Sequence, residues 1–372
     1  MKKLLNATFL VSGTAIGAGL ISLPLTAVNL GIAAVIITVI MIFVAYRSSM
    51  MTIELNTRNG QAASIVELSR KFSGSTAFAI TLASFYILSF SLLTVYFFAI
   101  ASSLNAFFAV DERLVALICG AVLFVILGLN VRLFSSINSA LVIALLVIVV
   151  VAMCKIGISS LEAHGFTSIK FSEIPAFLPV ILTSFGVQNI CANVYGYLNG
   201  DKRKIRYSFL LGILIPAAIY IGWNYCVFKN VLATDVDFLH RLQAHQVSVG
   251  ELIKFLCESS KDAYIEVFLE GLTLLAIITS AIGMGAGLLK SIRTSIIPQK
   301  NISSAIVCLI PVILAITVPN AFINVLSFGG MIATTFVIFV PYYLLQKRTL
   351  GDLFCLLFGA TVVLCELLRI GG

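Results

Sequence analysis

The sequence predicts an all-α membrane protein of about 11 transmembrane helices, the first and sixth of them discontinuous. Three observations carry that reading. Hydrophobic residues make up 60% of the 372 and charged residues only 11%, with a mean hydropathy of +1.09, so most of the chain is solvated by lipid rather than water. Eleven apolar stretches are long enough to cross the hydrocarbon, which takes about 20 residues of helix. Two of them are interrupted by glycine and small polar residues, at Gly13-Thr14-Ala15-Ile16-Gly17-Ala18-Gly19 and at Thr183-Ser184-Phe185-Gly186-Val187-Gln188-Asn189.

The eleven stretches fall at about 5–30, 31–54, 76–103, 113–131, 134–157, 174–199, 206–228, 263–289, 302–318, 320–345 and 351–369. The first imitates a secretory signal peptide, with Lys2 and Lys3 ahead of an apolar run. Its glycine-rich interruption and Pro24 spoil a compact apolar core, so it reads as an uncleaved span. Residues 55–75 are polar and read as partly helical. Residues 158–173, which include His164, lead into the sixth span, and 229–262 form the longest loop, where Val249 to Cys257 has the spacing of a short amphipathic helix lying at the membrane interface.

The net charge of +8 comes from short basic clusters between apolar runs, a topology signal rather than a nucleic-acid face. With the N-terminus inside, 16 of the 24 Lys and Arg residues fall on the cytoplasmic side. This places the N-terminus in the cytoplasm and, with an odd span count, the C-terminus in the periplasm. Of the eight cysteines only Cys257 sits in a long polar loop, and no C-x-x-C occurs, so they read chiefly as small apolar filler rather than a disulfide set.

One membrane domain, 1–372, accounts for the chain. Residues 1–157 hold five spans and 174–345 hold five more. Because five is odd, the halves run in opposite senses, each opening with its interrupted span. This is the expectation for an inverted 5+5 repeat, with 351–369 added as an eleventh helix.

A helix broken at membrane depth leaves amides and carbonyls that protein, water or ligand must satisfy. At the first break Gly17, Ala18 and Gly19 begin a half-helix whose free amides and positive dipole end suit a carboxylate. The carbonyls near Ala15, and those of Thr183, Ser184 and Phe185 at the second break, suit an ammonium group or a cation. Close helix packing is the other role for such glycines. It gives no reason for their paired placement in two halves.

The run from Gly13 to Pro24, with Pro179 to Val187 and Gly200-Asp201-Lys202-Arg203-Lys204-Ile205-Arg206, resembles the bacterial aromatic amino acid permeases, the tyrosine and tryptophan carriers of the amino acid, polyamine and organocation superfamily. The resemblance implies import of an aromatic amino acid, tyrosine favoured and tryptophan second, by proton or sodium symport across the bacterial cytoplasmic membrane. It implies substrate-binding roles for Ala15, Gly17, Ala18, Gly19, Thr183, Ser184, Phe185, Gly186 and Gln188. Phe185 and Phe90 are candidates to stack on the substrate ring, against the alternative of apolar packing.

Thr279-Ser280 on the eighth span resembles the hydroxyl pair of sodium-coupled members of this fold, although both hydroxyls could equally bond back to their own helix. Glu270 is the most deeply placed acid and either titrates or sits solvated at the mouth. The mid-span lysine of several proton-coupled relatives has Leu145 in its place. Gln188 stands where some relatives carry glutamate. No resident cofactor or metal, no nucleic acid and no obligate protein partner is expected, only substrate, lipid and the coupling ion. An ion-independent facilitator or exchanger is the alternative function. An intramembrane enzyme lacks its clustered acids, H-E-x-x-H or nucleophile with base, and a channel lacks its filter.

Overall fold

A computed structural model of the chain describes residues 2–108, 110–129, 131–158, 169–247, 249–260, 264–317 and 322–371. The first span is two helices, α1 (Lys2–Ala15) and α2 (Ala18–Ala27), parted at Ile16 and Gly17. Next come α3 (Ile32–Asn59), the short α4 (Ile65–Phe72), α5 (Ser75–Phe108), α6 (Glu112–Gly128) and α7 (Val131–Ile158). The sixth span runs as α8 (Ile174–Ser184), a break at Phe185 and Gly186, a 3-10 turn over Val187–Ile190, and α9 (Cys191–Tyr197). Beyond it lie α10 (Lys202–Thr234), α11 (Val236–Gln243), α12 (Val249–Ser259), α13 (Ile265–Ser295), α14 (Lys300–Thr317), α15 (Phe322–Thr334), α16 (Val340–Leu344) and α17 (Leu350–Gly371). No strand occurs among the described residues.

Eight of these segments are by themselves long and apolar enough to span a bilayer. The other three expected crossings have visible reasons for falling short. The first is broken into two pieces. The fourth, α6, is 17 residues long. The tenth is interrupted by a π-helical turn over Thr335–Phe339 between α15 and α16. Together they account for the eleven spans that the hydropathy predicts.

Both breaks are tighter than the sequence suggests. Gly13 and Thr14 stay within α1, and Thr183 and Ser184 stay within α8, so each interruption is two residues long. Once the helical ladder is lost, every further residue adds main-chain groups that need partners in hydrocarbon. The shortest break that turns the chain therefore leaves the fewest orphans. The broken spans lie at the centre of the molecule: α1 packs on α10, α7 and α13, and α2 packs on α8 and α10. The expected division at 1–157 and 174–345 brackets these helices, with residues 159–168, and His164 among them, outside the described residues.

The loops owe their form to local capping. Ser64 and Glu67 build a reciprocal capping box that starts α4. In the Gly200–Arg206 motif the Asp201 carboxylate caps α10, accepting from the Lys204 amide at 3.1 Å and the Lys204 Nζ at 2.6 Å. The Lys204 ammonium holds that carboxyl below the usual carboxylate range.

The long loop corrects one expectation. Val249–Ser259 is indeed helical, but α12 does not simply lie on lipid. Its buried Leu252 and Leu256 join Leu20, Trp223, Leu269 and Leu272 around a void of only about 20 Å³. The apolar stripe finds protein, the ends of α2, α10 and α13, and covers it. The unpredicted α11 is fastened to α12 by a stacked Phe238–Phe255 pair with centroids 4.0 Å apart.

The eleventh span is tied on by charge. Arg47 Nε on α3 meets Asp352 Oδ1 on α17 at 2.6 Å, and the Asp352 side chain is fully buried. Thr349 adds two bonds to Asp352 Oδ2, each of 2.7 Å. Asp352→Ala strands the half-buried guanidinium and should cost about 1–3 kcal/mol, read as a lower thermal unfolding midpoint in detergent.

Candidate binding site between the two helix breaks

The first amides of a helix have no partner inside it, and α2 opens with Ala18 and Gly19 after Gly17 at its N-cap. Gly17 and Gly19 are required there by close approach. A Cβ at Gly17 would overlap the Ser280 hydroxyl. A Cβ at Gly19 would stand 2.5 Å from both the Ser184 Cβ and the Tyr220 hydroxyl. The two breaks therefore touch, as the paired placement of glycines in the sequence predicts. The side chain of Ala18 is outside the described set.

The carbonyls expected to face a ligand are treated unequally. Those of Thr183 and Phe185 accept from the Gly186 amide at 3.0 Å and the Val187 amide at 2.7 Å. The Ala15 carbonyl accepts from the Gly17 amide at 2.8 Å and from the Tyr220 hydroxyl at 2.5 Å, and the same hydroxyl reaches Ser184 O at 3.3 Å. Ala15 and Ser184, one from each break, thus meet at a single side chain. The Thr183 and Ser184 hydroxyls bond back to Pro179 O and Val180 O.

The expected side chains divide. Phe185 is fully buried and meets the Tyr220 ring edge to face at 5.4 Å. Gln188 Nε2 donates to Ser48 Oγ on α3 at 2.6 Å, which anchors the second break to the second span. Phe90 finds its ring contact one turn back on its own helix, with Tyr86 at 6.4 Å. The α5 aromatic that approaches the first break is Tyr96, whose hydroxyl is 3.7 Å from where a Gly17 Cβ would stand.

Of the hydroxyl pair on α13, Ser280 Oγ reaches Gly13 O at 3.2 Å and Thr14 O at 3.3 Å. Thr279 bonds back to Leu275 O and Ala276 O, the ordinary role of a threonine in a membrane helix. Glu270 is half-buried, and its Oε1 is buried with no hydrogen-bond partner. No group of three or more His, Cys, Asp or Glu able to hold a metal occurs among the described residues.

Sequence reasoning missed Tyr220, Tyr96, Ser48 and Asn138. Asn138 on α7 is 1% exposed, both of its amide atoms lack a partner, and its Nδ2 lies 3.5 Å from the Cβ position of Gly13. The available signal was polarity inside an apolar span, since a buried Tyr or Asn must answer some other polar group.

A cavity of about 760 Å³ lies on the face that carries the N-terminus. Leu10 and Ala192 line its depth, and Lys2, Lys3, Lys290, Arg293 and Lys300 line it too. Elsewhere Leu20 and Trp223 pack against α12 around a void of about 20 Å³.

The sequence profile described as the tryptophan/tyrosine permease family matches residues 1–353. The chain belongs to that family. It is thus a multi-pass membrane permease, not an enzyme. Among this permease's relatives, Tyrosine-specific transport system 1 of Haemophilus influenzae is 26% identical over 390 residues, covering 100% of this chain and 95% of that one. Glutamine transporter 2 of Aliivibrio fischeri is also 26% identical, over 91% and 87%. The Tryptophan-specific transport protein of Pseudomonas aeruginosa is 23% identical, over 91% and 84%. The permease shares its fold with a Na+-coupled sialic acid symporter, at a TM-score of 0.66 and 12% identity over 98% of this chain and 88% of that one. It likewise resembles the Eremococcus coleocola manganese transporter, at 0.64 and 14% identity, over 99% and 86%.

Gly19→Ala should force α2 from α8 and α10 at an overpacking cost of about 1–3 kcal/mol. Gly250→Ala, where a Cβ meets nothing within 4 Å, should leave the thermal midpoint of the purified permease unchanged or higher.

Proposed function

We propose that the permease imports an aromatic amino acid, tyrosine favoured, by symport with a proton or sodium ion. The observation that carries the reading is the meeting of two main-chain breaks of opposite polarity. The α2 amide end suits a carboxylate, and the Ala15 and Ser184 carbonyls, already drawn to one donor at Tyr220, suit an ammonium. A zwitterion fits between them. Phe185 and Tyr96 supply apolar ring faces beside the breaks, which favours an aromatic side chain. The names of the tyrosine- and tryptophan-specific relatives support the same substrate class.

Coupling follows from the first break and α13. Ser280 gathers the Gly13 and Thr14 carbonyls, oxygen ligands of the kind a hard cation takes, and Glu270 is the acid available to a proton route. In this reading the N-terminus is cytoplasmic and the C-terminus periplasmic, so the wide cavity opens to the cytoplasm. The halves 1–157 and 174–345 rock about the breaks to expose the site alternately. Glutamine is the second substrate reading, favoured by the glutamine transporter among the relatives.

Labelled tyrosine uptake into proteoliposomes, with unlabelled tryptophan, phenylalanine and glutamine as competitors, tests this under imposed proton or sodium gradients. Accumulation against a gradient with one ion supports symport, and simple equilibration would make the permease a facilitator. Competition by glutamine alone would replace the aromatic reading. Ser280→Ala should lower ion-driven uptake at least about tenfold, as expected when a hydrogen-bond partner of the break worth about 1.5 kcal/mol is lost. Thr279→Ala, whose hydroxyl serves only its own helix, should change it less than about twofold.

A further inference from the structure

We propose that the Tyr220 hydroxyl stands in for the substrate's ammonium group, so that an amino acid binds by exchanging donors with this side chain at the two breaks. The inference rests on the amino-acid reading above and adds a residue to it. Tyr220 is fully buried on α10. Its hydroxyl lies 2.5 Å from Ala15 O and 3.3 Å from Ser184 O, the carbonyls that end the helical pieces before each break. A phenol has one hydrogen to give, and an ammonium has three. The short bond to Ala15 leaves Ser184 a weak share. An ammonium would serve both, through charge-assisted bonds roughly twice as strong as neutral ones.

Space forbids the two donors from coexisting. The Cβ position of Gly19 is only 2.5 Å from the Tyr220 hydroxyl and from Ser184 Cβ, so α2, α8 and the phenol already close on one another. Phe185, itself a break residue, holds the ring edge to face at 5.4 Å. The incoming amine therefore displaces the hydroxyl rather than joining it. Two consequences follow. The empty carrier keeps its breaks pinned together by its own side chain, and a ligand without an amine leaves that bond in place. Tyr220 thus lowers affinity for an amino acid, whose amine must displace it, and not for the corresponding carboxylic acid.

The test compares wild type with Tyr220→Phe, which keeps the ring on Phe185 and removes only the donor. Purified proteins are titrated with labelled L-tyrosine and with 3-(4-hydroxyphenyl)propionate, its analogue without the amine. Thermal midpoints are read with and without each ligand. Removing the competing hydrogen bond should tighten tyrosine binding by about two- to tenfold, leave the analogue's affinity unchanged, lower the ligand-free midpoint and enlarge the rise that tyrosine produces. A variant recovered intact only when purified in saturating tyrosine is the same result in extreme form. Equal or weaker tyrosine binding by Y220F, an equal gain for the analogue, or a variant that tyrosine fails to rescue overturns the proposal. Wild type that binds tyrosine while Y220F gains nothing rejects the role of Tyr220 alone. Wild type that binds no amino acid removes the amino-acid reading, and this inference with it.

Discussion

Hydrocarbon offers no partner to a main-chain amide or carbonyl, and the architecture of this permease follows from that constraint. Most of its spanning helices meet it by keeping their own hydrogen-bond ladder. The first and sixth do not, and the rest of the molecule is arranged around them. They are held at the centre by α10, α7 and α13, and their orphan carbonyls are answered from neighbouring helices: Tyr220 for Ala15 and Ser184, Ser280 for Gly13 and Thr14. Glycine at positions 17 and 19 is the steric condition for that convergence.

The same constraint explains the asymmetry between the faces. A carrier that binds at its breaks must shut one approach while the other is open. Here α12 lays Leu252 and Leu256 over Leu20, Trp223 and Leu269, leaving room for about one water. The far side opens into a cavity of about 760 Å³ beside five basic side chains. Such a cluster of cations lowers the local potential barrier to a ligand that carries a carboxylate.

The spans and the position of both breaks were legible because hydropathy and glycine placement are read directly from composition along the chain. What the sequence overstates is the width of the breaks, since glycine at position 13 looks the same whether it unwinds a helix or lets α7 approach. What it hides are the residues that answer the breaks from elsewhere. Tyr220 is one of 11 tyrosines and Phe90 one of 27 phenylalanines, and nothing local tells which aromatic turns inward. Nothing along α5 separates Phe90 from Tyr96, six residues further on, which is the one beside Gly17. The Thr279 and Ser280 pair shows the same limit: both side chains lie near the first break, but only the Ser280 hydroxyl bonds its carbonyls, while that of Thr279 turns back to its own helix. The cover formed by α12 depends on long-range packing against α2 and α13, which an amphipathic pattern alone does not distinguish from a lipid surface.

The central claim is that both breaks hold the ligand together through their main-chain groups. Amide hydrogen exchange measured by mass spectrometry, with and without saturating L-tyrosine, addresses it directly. The account predicts that tyrosine slows exchange at residues 17–20 and 185–188 in parallel, with the same concentration dependence. Protection confined to one break, or to α12 and the basic cavity with both breaks unchanged, would contradict it.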